Sequence, residues 1–173
     1  MEKDIKDLKI LIDNKTLTSR IKELADEINS KYDISKPLIL ICVLRGALMF
    51  YAELAKHLKM PVKMEFVSLS SYGNSQQSSG KIKTMNLNLP SFKGENVLVV
   101  EDIVDTGLTL DFLIKFIKTN CEAQDVKLAV LFDKKTEKIC PDTFRVIDKR
   151  KVDLSKIISI KYIAAKREAM KGI

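Results

Sequence analysis

Residues 97–110 read Val-Leu-Val-Val-Glu-Asp-Ile-Val-Asp-Thr-Gly-Leu-Thr-Leu. Val97 to Val100 is short, β-branched and unbroken, the pattern of a strand buried on both faces. Two adjacent carboxylates follow, and the chain then turns through Asp105-Thr106-Gly107. Leu108, Leu110, Phe112, Leu113, Phe116 and Ile117 recur at helical spacing, which predicts a helix from near Gly107 to about Lys118. In open α/β sheets ligands bind beyond the carboxyl ends of strands, where helix N-termini offer free backbone N–H groups to anions.

Working outward, the flanking sequence repeats the alternation of strand and helix. Leu17, Ile21, Leu24, Ala25 and Ile28 trace one face of a helix over roughly residues 16–32, with Thr16 or Thr18 as candidate caps. Leu38 to Leu44 is a central strand by length and apolarity, and it ends at Arg45-Gly46. A helix marked by Leu48, Met49, Tyr51, Ala52, Leu54 and Leu58 follows, and Pro61 stops it. A second strand is predicted from Lys63 to Ser70, a short one near Lys81 to Leu87, and another buried one from Val126 to Phe132. Between them, Ser71 to Gly80 is almost entirely small or polar, the composition of a functional loop rather than idle chain. The predicted fold is α/β, a mainly parallel central sheet flanked by helices.

Composition narrows the function classes. A chain of 173 residues with 46% hydrophobic content suits one domain with one core. Three cysteines, Cys42, Cys121 and Cys140, lack paired or metal-type spacing, so a disulfide framework is not expected and each is read as inert. The amino terminus has mixed charge without an apolar core of the signal-peptide kind, and the longest apolar run is far too short to span a bilayer; the expected location is the cytoplasm, with no membrane partner. The net charge of +7 is concentrated at one end. Residues 149–173 hold eight Lys or Arg against Asp153 and Glu168, a local excess of six, which leaves the first 148 residues nearly neutral. Anion binding in the body must therefore come from local geometry, and no nucleic-acid partner is expected. His57, the only histidine, is read as an exposed helix residue.

Three predicted strands stop at chemically useful groups: Arg45-Gly46, Glu101-Asp102 with Asp105 to Thr109, and Asp133-Lys134. In a parallel sheet all three lie on one edge. The acid pair suits a ribose diol or a hydrated Mg²⁺, a hard cation that takes oxygen ligands. Successive backbone N–H groups, the Thr106 and Thr109 hydroxyls and the helix N-terminus form a cradle for a phosphate dianion. Asp105, between the two, is placed as a general base or orienting acceptor. Gly107 lets the backbone approach the anion, since a side chain there would push it away.

The segment 97–110 resembles the phosphoribosyl-pyrophosphate binding signature of type I phosphoribosyltransferases. Val-Leu-Arg-Gly-Ala (43–47), Ser-Ser-Tyr-Gly (70–73), Ser-Ser-Gly (78–80) and Leu-Phe-Asp-Lys (131–134) are similar to blocks of the hypoxanthine-guanine branch. The resemblance runs from about Leu8 to Phe144, some four-fifths of the chain. It implies purine salvage: transfer of the phosphoribosyl group to hypoxanthine or guanine with release of pyrophosphate. On the matching positions it implies that Glu101 and Asp102 contact the ribose hydroxyls and Mg²⁺. Asp105 would be the catalytic residue at purine N7, and Asp105, Thr106, Gly107, Leu108 and Thr109 would hold the 5′-phosphate. Arg45 and Gly46 would bind pyrophosphate, with Arg where members commonly carry Lys, a change that keeps the charge and alters the donor geometry. Ser71 and Tyr72 would lie on the loop that closes over the sugar, and Lys134 would donate to the exocyclic oxygen at purine C6.

The family's dimers and tetramers imply a homo-oligomer. After Phe144 the chain departs from the family pattern, which continues with an apolar strand of the form Val-Val-Gly-Tyr-Gly-Leu-Asp; here only Val146-Ile147-Asp148-Lys149 echoes it. The expected organisation is therefore a phosphoribosyltransferase domain over 1–148, with an atypical or incomplete C-terminal hood, and a basic tail over 149–173. Leu154 to Met170 of that tail reads as an amphipathic helix. The competing class is a regulator that keeps the fold and its ribose-phosphate site as a sensor with little or no catalysis.

Overall fold

A computed structural model describes residues 12–69, 87–104, 108–133 and 143–148. The elements, in chain order, are α1 (Asn14–Lys31), β1 (Leu38–Leu44), α2 (Leu48–His57), β2 (Val62–Ser68), β3 (Asn96–Val104), α3 (Leu108–Asn120), β4 (Asp125–Asp133) and β5 (Thr143–Asp148). The five strands form one sheet in the order β2-β1-β3-β4-β5, and every neighbouring pair is parallel. The unbroken apolar runs of β1 and β3 occupy its middle, and Leu38 to Val43 and Val97 to Val100 are all buried. Strands covered by helices on both faces need apolar side chains in both directions, which is why neither run alternates.

Side-chain parity sorts the core into two layers. Leu38, Leu40, Cys42, Leu98 and Val100 pack on one face against α1 and α2 through Ile21, Leu24, Ala25, Ile28, Phe50, Tyr51 and Leu54. Ile39, Ile41, Val43, Val97 and Val99 pack on the other against α3 through Leu110, Leu113, Ile114 and Ile117. Asn29 fastens α1 to the end of α2: its Nδ2 donates to the His57 carbonyl at 3.0 Å, and its Oδ1 accepts from the Lys59 N–H at 2.9 Å.

The structure departs from the sequence expectations at several points. The cap of α1 is neither Thr16 nor Thr18 but Asp13, whose carboxylate accepts from the Thr16 N–H at 2.7 Å and from its hydroxyl at 3.0 Å. A carboxylate placed three residues ahead takes a free N–H of the first turn, so the helix begins earlier than its apolar stripe. His57 is half-buried, with Nε2 3.4 Å from the Glu53 carboxylate, because the end of α2 is held against α1. Strand β3 continues past Val100 to Val104, carrying both acids within it. Strand β5, Thr143–Asp148, was not expected from the sequence; its parallel pairing with β4 defines it. The expected short strand near 81–87 falls almost wholly outside the described residues, as do Cys140 and the tail from 149.

Hydrogen bonds from Thr16, backbone first and side chain second, hold the Asp13 carboxyl below its ordinary value of 3.8. A depressed acid stabilises the folded state above its unfolded value and loses that contribution as pH falls through the folded one. Asp13→Ala is accordingly expected to lower the thermal midpoint at neutral pH. In parallel melts followed by circular dichroism, the difference from the unchanged protein should narrow as pH falls below 3.8.

Candidate active site

The site is set by where the sheet divides. β1 pairs with β3 only as far as Cys42 opposite Val100, yet β1 runs on with β2 to Leu44 opposite Ser68, and β3 runs on with β4 to Val104 opposite Asp133. Beyond Cys42 and Val100 the two central strands are no longer a ladder. They also hand the chain to opposite sides: β1 leads to α2 on one face and β3 to α3 on the other. Such a divergence of two parallel strands is the topological switch point, the position at which open α/β sheets hold their ligands. Arg45 and Gly46 stand on one side of it, and Glu101 and Asp102 on the other.

The acid pair is more deeply set than a strand-end turn would place it. Asp102 is 5% exposed and is the one charged side chain among the buried residues described; Glu101 is half-buried. Burying a carboxylate costs free energy unless hydrogen bonds offset it, so its presence among apolar strands calls for a chemical reason. Both acids engage the backbone of the strand that has lost its neighbour: Glu101 Oε1 accepts from the Asp102 N–H at 2.8 Å, and Asp102 Oδ1 accepts from the Ile103 N–H at 2.8 Å. Strand alternation also slips here. Ile103 packs with Leu98 and Val100, and Val104 with Val97 and Val99, the reverse of a two-residue repeat. The backbone therefore rolls at Glu101-Asp102, a feature that periodicity alone does not reveal.

On the opposite strand, Arg45 and Gly46 are exposed in the turn between β1 and α2, next to the fully buried Ala47, and the Leu44–Arg45 peptide bond is cis. The Leu48 N–H donates to the Arg45 carbonyl at 3.3 Å and the Tyr51 N–H to the Ala47 carbonyl at 2.8 Å, so the turn feeds directly into the helix. α3 begins at Leu108, and Thr109, half-buried, lies in its first turn, where backbone N–H groups lack intrahelical acceptors. Cys42, beside Val100 at the last paired step, has its thiol pushed up to about 11 by burial, then by Glu101 and Asp102. Burial likewise raises Cys121. Both thiols stay protonated at neutral pH, in keeping with the inert reading.

Of the sequence-predicted residues, Arg45, Gly46, Glu101, Asp102, Leu108 and Thr109 are brought to one edge of the sheet by β1, β3 and the start of α3. Ser71, Tyr72, Asp105, Thr106, Gly107 and Lys134 lie outside the described residues. The extension of β3 was missed, although Ile103 and Val104 are the apolar, β-branched continuation that could have signalled it.

Residues 7–161 match the family model described as a phosphoribosyl transferase domain. The chain belongs to the phosphoribosyltransferase family. Within it, 134 residues are 40% identical to the hypoxanthine-guanine phosphoribosyltransferase of Bacillus subtilis, covering 78% of this chain and 72% of that one. A solved hypoxanthine-guanine phosphoribosyltransferase of Bacillus anthracis superposes with a TM-score of 0.64 at 35% identity, over 80% of this chain and 83% of the other. The hypoxanthine phosphoribosyltransferase of Trypanosoma cruzi, solved with the product IMP, gives 0.62 at 33% identity over 80% and 74%. The chain is thus an enzyme of the hypoxanthine-guanine branch.

The donor chemistry can be tested against a metal ion. Glu101 and Asp102 are adjacent hard oxygen donors, and the described residues contain no group of three or more His, Cys, Asp or Glu side chains able to enclose an ion. Two adjacent carboxylates suit a hard divalent cation, which takes oxygen ligands.

Proposed function

We propose that this protein transfers the 5-phosphoribosyl group of phosphoribosyl pyrophosphate to hypoxanthine or guanine, forming IMP or GMP and releasing pyrophosphate. The observation that carries the reading is the division of the sheet, which sets the buried Asp102 and half-buried Glu101 across from an exposed Arg-Gly turn in a chain of this branch. Glu101 and Asp102 hold the ribose hydroxyls from the β3 side. Asp105, Thr106, Gly107, Leu108 and Thr109 receive the 5′-phosphate where α3 leaves its first N–H groups free. Arg45 and Gly46 take the pyrophosphate, Arg45 offering a planar fork of donors to phosphate oxygens.

Asp105 accepts the proton, or the hydrogen bond, of purine N7 as N9 forms its bond to C1′ and the bond from C1′ to pyrophosphate oxygen breaks. Lys134 donates to the oxygen at C6, which favours hypoxanthine and guanine over adenine. Ser71 and Tyr72 exclude water from the oxocarbenium-like sugar. Glu101 and Asp102 are the groups that would hold Mg²⁺, and the ion supplies positive charge to the departing pyrophosphate. We place the enzyme in the cytoplasm as a homodimer or homotetramer; among the described residues no helix is long and apolar enough to cross a membrane.

The test is an assay with phosphoribosyl pyrophosphate, Mg²⁺ and each of hypoxanthine, guanine, xanthine and adenine. Formation of IMP and GMP with little AMP is expected. Tight phosphoribosyl pyrophosphate binding without turnover on any purine would favour the sensor.

A further inference from the structure

The turn that holds Arg45 and Gly46 is joined to α2 by backbone bonds alone: Ala47, at the N-cap, makes no side-chain capping bond. Its anchor lies one helical turn later. Tyr51 is 2% exposed, and its hydroxyl donates to the Leu40 carbonyl at 3.0 Å, reaching back to the middle of β1. That bond closes a loop of chain from Leu40 to Tyr51, with the Arg45–Gly46 turn between its two ends. The Tyr51 ring also lies 5.5 Å from that of Phe66, with the planes inclined by 50°, in the tilted geometry aromatic pairs favour. Phe66 is opposite Cys42 in the β1–β2 register, and its strand leads toward Ser71 and Tyr72. One side chain thus joins α2, β1 and β2 behind the turn. Burial raises the phenol well above its ordinary value of 10.0, so the hydroxyl remains a donor at neutral pH.

We propose that Tyr51 is a positioning residue for pyrophosphate: by tying α2 to β1 through Leu40 and to β2 through Phe66, it holds the Arg45–Gly46 turn in its binding conformation. This rests on the reading that the turn contacts the pyrophosphate of the substrate. A hydroxyl satisfied in the core for stability alone would affect unfolding and leave substrate affinities in proportion. A positioning hydroxyl acts selectively on the ligand that the turn grips.

The experiment compares Tyr51→Phe and Arg45→Gln with the unchanged enzyme in steady-state kinetics, alongside hydrogen–deuterium exchange over residues 43–49. Tyr51→Phe keeps the ring and removes the hydroxyl that donates to the Leu40 carbonyl. It is expected to raise KM for phosphoribosyl pyrophosphate about fivefold, the equivalent of one net hydrogen bond, to raise the purine KM less than twofold, and to speed amide exchange in the turn. Arg45→Gln is expected to raise the same KM by more. If Arg45→Gln raises it and Tyr51→Phe does not, the Tyr51 assignment is overturned while the reading of the turn stands. If Arg45→Gln leaves it unchanged, the reading of the turn falls and the positioning role with it. Equal losses for both substrates, or a Tyr51→Phe protein without cooperative unfolding, mark a general structural role and also overturn the assignment.

Discussion

Asp105→Asn is expected to lower kcat by about a hundredfold to ten-thousandfold while phosphoribosyl pyrophosphate still binds. Asn matches Asp in size and can still accept through its oxygen, so binding of the 5′-phosphate is expected to persist, but it cannot take up a proton from purine N7. The loss should appear in the chemical step rather than in sugar-phosphate binding. Single-turnover kinetics for kcat and calorimetry for phosphoribosyl pyrophosphate affinity separate the two. A variant that turns over normally would remove Asp105 from the catalytic role, and one that no longer binds would make it a structural part of the cradle.

Neutralising the acid pair acts on binding instead. Glu101→Gln and Asp102→Asn are each expected to weaken phosphoribosyl pyrophosphate binding in the presence of Mg²⁺ by about tenfold to a hundredfold, the worth of a hydrogen bond to a charged acceptor. Retention of the fold is expected because an amide oxygen at 102 can still accept from the Ile103 N–H, the bond Asp102 makes at 2.8 Å. The two effects should not add. Glu101 and Asp102 are neighbours bonded through the Asp102 N–H, and residues sharing one network couple. Calorimetric titration of the single and double variants, with circular dichroism to verify folding, reads the result. Unchanged affinity in both single variants would separate the pair from the ribose and the ion.

Much of this fold was legible because its central strands are buried on both faces. The runs at 38–44 and 97–100 could satisfy their apolar side chains only inside a covered sheet, and the helical stripes around Leu24 and Leu113 supplied the covers. The Arg-Gly turn and the acid pair were legible for a related reason: these residue types stand side by side directly after the apolar runs. What escaped the reading depended on contacts across the sheet. The cap of α1 turned on which carboxylate could reach the Thr16 N–H, and β5 acquired its identity from β4.

Residue order alone specified a parallel α/β layer with Glu101-Asp102 and an Arg-Gly turn at its strand ends, because burial on both faces and local chemistry are carried by neighbouring side chains. Tertiary packing set the point, Cys42 and Val100, at which β1 and β3 stop pairing, ran β3 on beside β4 for four more residues with the acids as the first two, and brought Tyr51 back to Leu40. Those outcomes depend on register and on which helix covers which face, and both are settled by packing between segments far apart in the chain.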